Sequence, residues 1–138
     1  MRRLKAAMAV LLGAVTLLLA PVGVASADDN GNGLPLCSPE EICFWYNESN
    51  ILEKQFYWNS GHGGYNFMGV SNGNYYVSDE PLQNNARDIT NKDSECTVFV
   101  GIWHGNGNWT WESFPNDQNR YFLRTVNNRN DYHQRCGV

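Results

Sequence analysis

Two stretches of this 138-residue chain repeat one frame of two amides followed by a carboxylate, N-N-A-R-D at 84–88 and N-N-R-N-D at 127–131. Oxygen-bearing side chains in a loop are what a hard cation such as calcium collects. The frames therefore make Asn85, Asp88, Asn128 and Asp131 the calcium-ligand candidates. Neither frame carries a Ser or Thr hydroxyl beside its carboxylate, since Ile89 follows Asp88 and Tyr132 follows Asp131. The other reading of the frame is a turn leading into a strand, with Asn and Asp bonding their own backbone.

Catalytic chemistry has less to work with. His62, His104 and His133 are the only histidines, and none lies in an H-E-x-x-H frame or beside a G-x-S-x-G elbow. Glu40, Glu41, Glu48, Glu53, Asp79 and Glu80 are scattered through polar stretches, with no spacing that marks an acid–base pair. The expectation is a protein that is not an enzyme and carries no cofactor, calcium apart.

The four cysteines, Cys37, Cys43, Cys96 and Cys136, form an even set. Cys37 and Cys43 enclose only S-P-E-E-I, a short proline turn, so they are expected to pair locally and leave Cys96 for Cys136. A zinc site is the competing use, but no C-x-x-C spacing is present.

The elements that hold these residues follow from composition. Residues 1–27 read as an export signal: Arg2, Arg3 and Lys5 open it, an apolar run follows to Ala20, and Ala25-Ser26-Ala27 supplies the small residues of a cleavage site. The expected mature chain of 111 residues is one domain in size and sets seven basic against fourteen acidic residues. An acidic surface without a basic cluster argues against nucleic acid and membrane as partners and fits a secreted, extracellular monomer. All eighteen asparagines and eleven of the thirteen glycines fall in this part, a composition of tight turns, with aromatic and β-branched runs between them.

An all-β fold is therefore expected. Residues 28–36 read as a flexible leader and 37–138 as a single domain. Strand-like runs lie at 42–46, 54–58, 64–70, 74–78, 96–103, 109–114 and 120–126. No stretch has a helical period, though D-E-P-L-Q-N-N-A allows one short turn. G-H-G-G-Y-N-F at 61–67 resembles W-H-G-N-G-N-W at 103–109, at nearly the offset of the two N-N-x-x-D frames. Together they predict two halves, the first longer by about eleven residues near its start.

The export signal, C-S-P-E-E-I-C running straight into F-W-Y, and N-N-A-R-D-I-T-N ahead of an apolar strand resemble the secreted actinobacterial, Streptomyces-type inhibitors of metalloproteinases. The resemblance implies a βγ-crystallin-like sandwich of two Greek-key motifs. It also implies inhibition of an extracellular protease by an exposed, rigid loop that enters the active-site cleft as a substrate would. The place to look is after the first strand of the second half, where Trp103, His104, Gly105, Asn106, Gly107, Asn108 and Trp109 form the candidate contact loop. The tryptophans would anchor it and His104 would approach a catalytic zinc. Two other classes share these residues: a non-enzymatic binding module directed at calcium or a glycan, and a small secreted toxin of the killer type.

Overall fold

The computed structural model describes residues 31–48 and 52–138, so the expected export signal and the first leader residues lie outside the described part. Ten strands and no helix are found there: β1 (Ile42–Trp45), β2 (Leu52–Phe56), β3 (Ser60–Gly61), β4 (Asn66–Ser71), β5 (Asn74–Pro81), β6 (Asp88–Asn91), β7 (Val98–Trp103), β8 (Trp109–Phe114), β9 (Arg120–Phe122) and β10 (Tyr132–Arg135). They form two antiparallel sheets, ordered β5-β4-β2-β1-β6-β9 and β3-β10-β7-β8. Both expected disulfides are present, Cys37–Cys43 and Cys96–Cys136.

The two sheets share a plan. Read as β2-β1-β6-β9 and β8-β7-β10-β3, each has a hairpin, then the last strand of the same half, then an edge strand lent by the other half. The surplus of the first half is the hairpin β4–β5, turned at Asn72-Gly73 with both residues at positive φ, which lies between β3 and β6 rather than near the start. It adds itself to β2 as an extension of the larger sheet. His62 follows β3 whereas His104 sits in the β7–β8 turn, so the likeness between 61–67 and 103–109 does not mark equivalent places. The two N-N-x-x-D frames do occupy equivalent places, leading into β6 and β10.

Alternation along the strands divides the faces. Ile42, Phe44, Phe56 and Ile89 from one sheet meet Val98, Val100, Ile102 and Phe114 from the other in a single buried cluster. Full burial of each such side chain contributes about 1.5–3 kcal/mol.

The middle of this core is polar. His62 and His133 are fully buried, with their rings packed on Phe44 and Phe56. The hydrogen-bond directions follow from the ends of the chain of contacts. The Trp58 carbonyl can only accept, so His133 donates to it from Nε2 at 2.7 Å and accepts at Nδ1 from His62 Nε2 at 2.9 Å. His62 in turn accepts at Nδ1 from the Asn130 amide, 2.6 Å away. Asn130 also donates to the Leu82 carbonyl and accepts from the Ala86 amide, at 2.9 and 3.0 Å. The two frames are thereby locked together, with Asn84 donating to the Asn130 carbonyl and Asn128 to that of Ala86.

Candidate functional site

The β7–β8 hairpin carries the expected contact loop. Its strands stay in register from Val98↔Phe114 to Trp103↔Trp109, which leaves His104–Asn108 as the connection. The turn closes on itself: His104 donates its amide to the Asn108 carbonyl and Asn108 donates to that of Gly105, both at 3.0 Å. Gly105, Asn106 and Gly107 have φ of 84°, 52° and 80°, a left-handed run that glycine and asparagine tolerate. The His104 ring nitrogen Nε2 lies 2.8 Å from Thr110 Oγ1, which fixes that side chain across the hairpin.

Rigidity at the base comes from Asp131 rather than from cysteines. One carboxylate oxygen accepts from the Trp103 amide and the other from the Gln83 side chain, both at 2.8 Å, while the Asp131 amide donates to the Gly101 carbonyl at 2.9 Å. The tip of one half is thus tied to the frame that precedes β10.

On the outer face of the smaller sheet, aromatic rings form a connected group. Trp103 and Trp109 have ring centroids 5.0 Å apart, Trp109 and Trp111 stack at 4.9 Å, and Tyr132 lies 6.0 Å from Trp109. Trp103 is 45% and Trp109 37% exposed. Gly101 makes the group possible: a Cβ there would lie 2.6 Å from the Trp111 ring and 2.9 Å from Trp109. Gly101→Ala is therefore expected to push the stack off the sheet and cost about 1–3 kcal/mol, the usual range for overpacking. Near-ultraviolet circular dichroism and a urea melt check this, and an unchanged tryptophan spectrum would refute it.

No family model, curated protein or solved structure matches this chain.

The candidate calcium residues are not assembled into one cage. Asp88 is buried on the larger sheet and ion-paired with Arg120 at 2.6 Å, while Asp131 serves the hairpin as described. Asn85 and Asn128 shape turns, their amides bonded to the Leu82 and Ala86 carbonyls. Among the described residues, Asp93, Glu95 and Cys96 do bring ligand atoms within 4.8 Å of one another. There, however, Cys96 is held in its disulfide and Asp93 is ion-paired with Arg135.

A second feature, which the sequence reading passed over, lies on the outer face of the larger sheet. Residues 31–38 cross that face, fastened by Glu41, whose carboxylate accepts from the Asn32 and Ser38 amides at 2.7 and 2.6 Å. The crossing encloses a cleft of about 420 Å³ whose floor includes Trp45, Glu53 and Thr90. Glu53 is 2% exposed, and among the described residues its Oε1 has no hydrogen bond of good geometry, although the Gln55 side chain, two residues along the same face, lies near enough to favour the charged carboxylate. Burial pushes the Glu53 carboxyl up to about 7, with Glu41 adding to the rise and Gln55, Lys92 and Arg120 opposing it. Alternation in L-E-K-Q-F marks Glu53 and Gln55 as facing away from the core, a pattern that reads as solvated, but residues 31–38 lie over them, with Gly31 against Gln55 and Pro35, Leu36 and Cys37 lining the cleft with Glu53.

Proposed function

We propose that the protein is a secreted inhibitor of extracellular proteases, with metalloproteinases the leading class, and that it acts without catalysis by docking the β7–β8 hairpin. The observation that carries this reading is the hairpin itself, an exposed tip already ordered by its own turn and by Asp131, beside half-exposed tryptophans. A loop ordered before binding loses little entropy on docking, and tryptophans of this exposure serve well as anchors. The strand plan supports the βγ-crystallin-like, two-Greek-key reading of the fold, since each half lends its third strand to the other's sheet. Two disulfides suit an oxidising, extracellular setting.

The left-handed backbone at 105–107 changes the expected manner of binding. A protease reads an extended chain, so this tip would plug the mouth of a cleft rather than offer a bond for cleavage. The oxidised protein is expected to inhibit a thermolysin-like enzyme in a one-to-one complex, without being cut between 102 and 111. Trp109→Ala should weaken the complex by about 2–4 kcal/mol, the range for an aromatic anchor. No inhibition across a panel of metallo-, serine and cysteine proteases would overturn the proposal.

A second reading, a non-enzymatic binding module, draws on one further observation. The outer face of the smaller sheet pairs Trp111 and Tyr132 with Gly101 and flanks them with Ser113 and Gln134, so it bears no formal charge in an otherwise acidic chain. Such a face suits a neutral partner.

A further inference from the structure

The cleft beneath residues 31–38 is lined by a buried carboxyl, that of Glu53, one oxygen of which has no hydrogen-bond partner among the described residues. An unpartnered polar group in a low-dielectric setting is costly, and a ligand that supplies the missing bond removes that cost. Here Glu53, 2% exposed and with Oε1 in no hydrogen bond, lies in the lining of the cleft. The space beside Glu53 is at the lower end of the range for small-molecule sites, about 300–1,000 Å³. It is also built in advance, because Glu41 and the Cys37–Cys43 disulfide hold the overlying segment in place.

The lining selects the ligand. Thr90 presents a hydroxyl already accepting from the Trp45 indole N–H at 3.2 Å, and Gln118 brings an amide from the exposed turn before β9. Lys92 brings an ammonium steadied on the Cys37 carbonyl at 2.5 Å, and Leu36 an apolar lip. The lining therefore combines donors and acceptors with an indole. The charges near the site also offset one another: Glu53 and Glu41 stand against Lys92, and Arg120, which lies over the Trp45 ring at 4.6 Å, is ion-paired with Asp88. A cation would meet Lys92 and an anion would meet Glu53, whereas a neutral ring bearing several hydroxyls meets both, since each hydroxyl donates and accepts.

We propose that the cleft between residues 31–38 and the outer face of the larger sheet binds one neutral pyranose unit, with Glu53 and Lys92 holding its hydroxyls and Trp45 its apolar edge. This site lies on the opposite outer face from the hairpin, so it stands or falls independently of protease inhibition. Glucose, galactose, mannose and N-acetylglucosamine are titrated into the ¹⁵N-labelled, oxidised full chain. At least one should give saturable shifts centred on the Trp45 indole N–H and on residues 36, 90, 92 and 118. Glu53→Leu is expected to weaken binding by about tenfold or more while leaving the melting temperature equal or higher, because an unpartnered buried carboxyl is removed. Glu53→Gln, which keeps a donor and an acceptor, should stay within a few-fold of the parent. If Glu53→Leu does not fold, Gln118→Ala on its exposed turn should still lose binding several-fold. Three outcomes overturn the proposal: no saturable shift with any sugar, shifts confined to Trp103, Trp109 and Trp111, or binding of glycine or ethylamine but of no sugar.

Discussion

Folding stability is expected to fall as pH drops from 6.5 to 4, driven by the two histidines at the centre of the core. Burial lowers the His133 pKa from 6.5 to about 4, partly countered by its bond to the Trp58 carbonyl. His62 is driven well below its ordinary value, first by burial and then by the neighbouring His133. The relay explains the resistance to protonation: a second proton on either ring would set one N–H against another, or against the Asn130 amide. Since the unfolded chain binds these protons more readily, stability is intact above about 6.5 and drains away toward the folded-state value near 4. For His133 alone the loss is about 3 kcal/mol at the low end of that window, from about 1.4 kcal/mol per pH unit.

Glu53 works in the opposite direction. Its folded pKa of about 7 lies above the ordinary 4.5, so its contribution is complete below 4.5 and is lost as pH rises through 7. In the parent protein it offsets roughly one histidine, and the acid loss that remains is the share of His62. In Glu53→Leu the full histidine effect should emerge. Urea denaturation at pH 7, 5.5 and 4 separates the two, and a Glu53→Leu protein equally stable at pH 7 and 4 would rule out this account.

Asn130→Ala is expected to destabilise the fold by about 3 kcal/mol or more. The change leaves the Ala86 amide, the Leu82 carbonyl and the Nδ1 of His62 without their partner, and each buried orphan costs about 1–3 kcal/mol. Asn130→Asp preserves the shape and the bond from Ala86 but loses both donated bonds, so it should be no more stable than the alanine variant. Loss of less than 1 kcal/mol in Asn130→Ala would show that solvent replaces the amide readily.

Sequence reading recovered what apolar alternation and turn chemistry encode. The aromatic run at 42–46 became β1, W-T-W-E-S-F became β8, and both disulfides followed from spacing. It missed β6 and β10, which pair on both sides within their sheets yet read D-I-T-N and Y-H-Q-R. Their burial rests on hydrogen-bonded polar groups such as Asn91 and His133, and hydrophobic periodicity is blind to those. The stretch from Trp103 to Trp109 closes a hairpin, and its clamp is Asp131, which in the sequence stands only as a calcium candidate or a strand-entry turn because the Trp103 amide it holds is 28 residues away. The Glu53 cleft left no trace in the sequence, since it needs a segment distant along the chain to cover an ordinary strand face.

The exchange of edge strands between the halves has a consequence for how the chain comes to be folded. The larger sheet waits for β9, the smaller for β10, and Cys96 for Cys136, at a sequence separation of 40. Contacts so distant along the sequence form slowly, and no early portion of the chain has a finished core on which to collapse. During synthesis the polypeptide would therefore stay open until β10 and Cys136 have emerged, and then close as one unit.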